Sequence, residues 1–170
     1  RHDDRTLQRG SGVIARLRSR RMAFVALFGF CANLLLWHVP ALYNLTLSSE
    51  PVHDLEHTLF LITGLAFWDH VVAADHSVLS LAGRGAFALV AMVVSWALAI
   101  VIGYATTALY AYPVNQGLTP LQDQQIAAGI MWVPSSIPFV IALVCIGVAW
   151  FDADAAAGAA TTAAAQSTTK

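Results

Sequence analysis

His53, Glu56 and His57 stand close together where an apolar run begins, in the stretch Ser48-Ser49-Glu50-Pro51-Val52-His53-Asp54-Leu55-Glu56-His57. On a helix, histidines at i and i+4 project from one face and can reach one metal ion. Other ligand-type residues occupy comparable settings: His38 ends an apolar run, Asp123 starts another, and Met131 lies two turns further on. Imidazole suits copper and zinc, and a thioether favours Cu(I). The candidate metal ligands are therefore His38, His53, His57, Asp123 and Met131, with copper or zinc as the metal. Other chemistry fits some of these residues. His53-x-x-Glu56-His57 matches the inverted zinc-protease pattern, with Glu56 as general base. His38 and His57, on different helices, could hold a haem. The bland alternative is structural: a helix N-terminus favours acids, and interfacial histidines satisfy hydrogen bonds.

The elements that must position these residues are membrane helices. Of 170 residues, 58% are hydrophobic and 11% charged, against roughly 25% charged in soluble domains. A net charge of -1 gives no argument for nucleic acid. Cys31 and Cys145 lie in apolar runs without a C-x-x-C pattern, which argues against a disulfide. The fold class expected is all-α, a polytopic membrane bundle with four transmembrane helices.

Residues 1–21 form a basic lead, in which Arg16, Arg18, Arg20 and Arg21 precede the first span, 22–39. By the positive-inside rule the lead is cytoplasmic. Residues 41–50 are then an outer loop. The second span, 51–75, opens with Glu50 as cap and Pro51 in the first turn. Glu56, Thr63 and His70 recur every seven residues along it, a stripe expected to face the bundle interior. Gly64 should permit close helix contact. A third span covers 86–110, and Tyr104, Tyr110 and Tyr112 form an outer aromatic belt. Thr119-Pro120-Leu121-Gln122 is a capping box that opens the fourth span, 120–151, where Gln124 and Met131 share a face. Pro134 and Pro138 should interrupt its hydrogen bonding. The Ala/Thr-rich residues 152–170 are expected to be a disordered cytoplasmic tail. This topology places the candidate ligands in the outer half. It gathers Asp69, His70, Asp75 and His76 at the inner face, with no role assigned.

Leu36-Trp37-His38-Val39-Pro40-Ala41-Leu42-Tyr43, His53-Asp54-Leu55-Glu56-His57, Phe67-Trp68, Leu118-Thr119-Pro120-Leu121-Gln122-Asp123-Gln124-Gln125 and Ile130-Met131-Trp132-Val133-Pro134 together resemble the CtaG family of bacterial caa-type cytochrome c oxidase assembly factors. The resemblance runs from about Trp37 to Phe151 and matches the C-terminal part of the family's pattern, so further spans are expected upstream of Arg1. It implies a multi-pass protein of the bacterial plasma membrane. It also implies help in building the oxidase through its copper centres, with oxidase subunits as partners and no enzymatic activity. It brings no ligand set; the ligands above come from spacing. Members often carry glutamate where this chain has Gln122, and a glycine pair at Ser135-Ser136. The rival reading is a purely structural assembly scaffold.

Overall fold

The computed structural model describes residues 19–72, 78–112 and 117–168. The described residues form five helices and no strand: α1 Arg20–Trp37, α2 Pro40–Ser48, α3 Glu50–Val72, α4 Leu81–Gly103 and α5 Pro120–Thr168. All-α architecture is as expected. Three helices, α1, α4 and the apolar part of α5, are long and apolar enough to cross a membrane. The helix expected as the second span, α3, is not among them; it has the length but carries Glu50, Asp54, Glu56 and Asp69.

The long helices alternate in direction. Asn33 meets Thr63, and Phe30 stacks on Phe67, so α1 and α3 are antiparallel. A Cβ at Gly103 would meet Ala128, Trp96 meets Ser136, and Gly85 lies beside Ile146, so α4 and α5 are antiparallel as well. Phe24 of α1 meets Phe87 of α4 edge-on, which puts the starts of α1 and α4 at one end of the bundle. Arg20, Arg21 and Arg84 all lie at this basic end. The core there is Ala23, Phe67, Val71, Phe87, Ala88, Ala91, Met92 and Phe139, with Ile146 and Leu79. The opposite, aromatic end has a smaller core of Ile102, Tyr110 and Ala128. Large apolar side chains such as Phe28, Val101 and Val133 point away from the bundle, as lipid-facing residues do.

Several boundaries differ from the sequence expectation. Residues 41–50 are mostly helix rather than loop, because Pro40 takes an N-terminal position and Val39 the N-cap. Helix α4 starts at Leu81, ahead of the expected residue 86, so Arg84 lies in its first turn. That helix ends at Gly103, with Tyr104 as C-cap, so residues 104–112 run on as irregular chain. The described part of the tail, up to Thr168, is helical rather than disordered. Its alanine content explains this, since alanine has the highest helix propensity. The same helix continues through Pro134 and Pro138. Near them, the Trp96 indole N–H donates to Ser136 Oγ at 2.6 Å, and Ser136 Oγ in turn donates to the Trp132 carbonyl. Such bonds from a neighbouring helix and from serine support a proline-containing membrane helix. Gly64 makes no close contact: a Cβ there would meet nothing within 4 Å. The stripe on α3 does face inward, with Glu56 and His70 buried and Thr63 bonded to Asn33. The capping box of α5 forms in both directions, Gln122 N–H to Thr119 Oγ1 at 3.3 Å and Thr119 N–H to Gln122 Oε1 at 2.9 Å.

Candidate metal centre

The first two turns of α3 set the site. The Ser49 carbonyl accepts from Val52 and His53, so the helix is wound from its first residues. One turn then separates His53 from His57. Their Nε2 atoms are 3.0 Å apart, and the rings meet edge to face with centroids 4.4 Å apart. Glu56 completes the group: one ligand atom from each of His53, Glu56 and His57 lies within 4.8 Å of the others. The histidines are exposed, whereas Glu56 is buried at 8% exposure. The group is thus open on one side and buried on the other.

The chemistry of the set fits a divalent or cuprous ion. Two nitrogens bound to one tetrahedral ion stand about 3.3 Å apart, so the imidazoles need only a small opening. Glu56 supplies an anionic oxygen, which suits Cu(II) or Zn(II) better than Cu(I).

The remaining sequence candidates do not join this group. His38 is the C-cap residue of α1, its Nδ1 2.7 Å from the Leu34 carbonyl and its ring 5.9 Å from that of Tyr43. Met131 packs against the small core with Tyr43 and Tyr112. Asp123, in the first turn of α5, lies near enough to Tyr112 to oppose its ionisation. These three residues therefore surround a tyrosine cluster instead. Tyr43 stacks on Tyr110 at 4.0 Å and shares a hydrogen bond with the Tyr112 hydroxyl, and Tyr110 donates to the His38 carbonyl at 3.0 Å. Only Tyr104 keeps the expected exposed position, at 75%.

Two supports of this end have partners that the sequence did not reveal. Trp37 is buried, and its indole donates to Asn33 Oδ1 at 3.0 Å. Gln124 is fully buried, donates to the Ile102 carbonyl at 2.9 Å and accepts from Leu109 N–H at 2.6 Å. A glutamine one turn inside an apolar helix was the available signal. At the basic end, His70 Nδ1 lies 3.6 Å from Asp69. Asp75 and His76 lie outside the described residues.

Fold and site define a helical protein with three helices long and apolar enough to cross a membrane and a polar end that gathers histidine, glutamate and tyrosine side chains. The pattern of the cytochrome c oxidase caa3 assembly factor family, Caa3_CtaG, matches residues 5–153. The chain belongs to that family. Neither a curated protein nor a solved structure matches it.

Proposed function

We propose that this chain takes part in cytochrome c oxidase assembly in the bacterial plasma membrane by holding copper, as cargo, at His53, Glu56 and His57. Three ligand-type side chains converging within 4.8 Å carry the reading. The chain acts as a binding protein rather than an enzyme, and oxidase subunits are its partners. Helix α3 is a fourth span: it returns the chain between the parallel α1 and α4, and its 23 residues extend about 35 Å. Its acids are tolerated because they lie at its ends or, as Glu56 does, inside the bundle. The basic end is cytoplasmic, so the copper group faces outward.

Within the site, the exposed histidines admit the ion and Glu56 offsets its charge from the protein side. His38, Asp123 and Met131 lie together around the tyrosines and offer a second, softer stopping place. The test is His57→Ala in the full-length protein, with copper measured after purification and oxidase activity measured in the same cells under limiting copper. The substitution should leave the protein abundant but lower copper retention more than about tenfold, since even outer-shell metal contacts act on that scale. Oxidase activity should fall with it. Unchanged copper content and oxidase activity would leave the scaffold reading in its place.

A further inference from the structure

Arg84 is a buried cation at the basic end, 9% exposed, in the first turn of α4. Its Nε donates to the Val71 carbonyl at 2.6 Å and its Nη2 to the Val72 carbonyl at 3.2 Å. These are terminal carbonyls of α3, which carry only a partial negative charge. A guanidinium has five N–H donors and stays charged, so two bonds leave donors and charge unspent. No carboxylate among the described residues is within ion-pair range of it. Among the described residues this buried charge meets only the partial charges of helix-end carbonyls, which is costly near a membrane, and an anion would relieve it.

The surroundings say what kind. Arg84 lines a cleft of about 560 Å³ between α3, α4 and α5, in the size range of small-ligand sites. The rest of its wall is apolar: Trp68, Val72, Pro138, Ile141 and Cys145. Val72, Ile141 and Cys145 are exposed, so the cleft opens on the bundle's lipid-facing side. The exposed Trp150 and Phe151 directly follow Ala149, which lines the cleft on α5, and are of the type found at a membrane interface. A soluble anion would use Arg84 and ignore this wall. A molecule with an anionic head and a hydrocarbon tail uses both, and basic pockets between membrane helices recognise such head groups.

We propose that this cleft binds an anionic phospholipid, with its phosphate on Arg84 and an acyl chain along Trp68, Val72, Ile141 and Cys145. The proposal is independent of the copper site.

Native mass spectrometry of the full-length protein in mild detergent tests it, with phosphatidylglycerol and phosphatidylcholine added at equal concentration. Phosphatidylglycerol should bind at least about tenfold more tightly. Cys145→Trp leaves Arg84 in place and fills the exposed wall, so it should cut phosphatidylglycerol binding about tenfold. Arg84→Gln can still donate to the α3 carbonyls and should lose the preference for the anionic lipid. Equal binding of the two lipids would overturn the proposal. So would wild-type phosphatidylglycerol affinity in Cys145→Trp, even if Arg84→Gln did not fold. Displacement of the lipid by millimolar inorganic phosphate would reduce the site to a free-anion site and overturn it too.

Discussion

Three tyrosines from two segments share one packed, hydrogen-bonded cluster, and this changes how they titrate. Burial pushes the Tyr110 phenol up to about 12, with Tyr43 adding to the effect. Burial also raises Tyr112, followed by its hydrogen bond to Tyr43 and by the nearby charge of Asp123. A raised folded pKa means that the native state favours the neutral phenol. Stability is then flat below the unfolded value, about 10, and falls as pH rises from there through the folded values. Tyrosinate absorbance should show Tyr110 and Tyr112 ionising well above the free-phenol value of about 10, with thermal stability dropping only above about pH 10. Ionisation of Tyr110 and Tyr112 at about pH 10 would contradict the cluster. The sequence shows the pair His53 and His57 because their spacing is local and one helix is enough to unite them. The tyrosine cluster was not legible, since Tyr43 and Tyr112 are 69 residues apart and only the fold brings them together. The placement of His38, Asp123 and Met131 in one half was legible, but which neighbours each would meet was not.

At the scale of elements, helix starts were read best and helix ends worst. The start of α5 carries its own chemistry, a reciprocal capping box, and forms as expected. Helix α2 went unread although Pro40 was its signal, because the following residues also suited a short outer loop. The end of α4 was placed late, since the apolar sequence carries on past the point where the chain leaves the helix. Gln124 explains how that departure is held. It accepts from Leu109 N–H and donates to the Ile102 carbonyl, tying the irregular stretch after α4 to the first turns of α5. The Ile102 carbonyl also accepts from the Tyr104 and Ala105 N–H groups, whereas Gln124 is the acceptor for Leu109 N–H. Gln124→Leu preserves bulk but leaves that donor unsatisfied, at a cost of about 1–3 kcal/mol. The variant should unfold several degrees lower in detergent, and hydrogen exchange should rise at Leu109. Wild-type exchange at Leu109 would show that the glutamine is not the clamp.

At the scale of the whole molecule, the alternation of helices fixes relative direction, and the proposed orientation rests on charge. Antiparallel pairing places Arg20, Arg21 and Arg84 at one end and His53, His57 and the tyrosines at the other. The sequence conveys this much because arginines and aromatic residues segregate along it. It conveys less about α3, whose acids make it read as a helix end in some places and a span in others. Orientation decides what the proposed copper site at His53, Glu56 and His57 could do: facing outward it would receive copper outside the cytoplasm, and facing inward it would draw on a cytosolic supply. A membrane-impermeant maleimide applied to intact cells separates these cases, in the full-length chain with Cys31 and Cys145 replaced by alanine. Ser48→Cys samples the exposed end of α2, beside the start of α3. Val78→Cys samples the exposed chain just before α4, at the basic end. Ser48→Cys should label at once, and Val78→Cys only after the cells are permeabilised, because clustered arginines resist translocation. The reverse pattern would invert the bundle and end the reading of His53, Glu56 and His57 as an outward-facing copper group. Labelling of both positions in intact cells would mean that α3 does not cross, and would remove it from the spans.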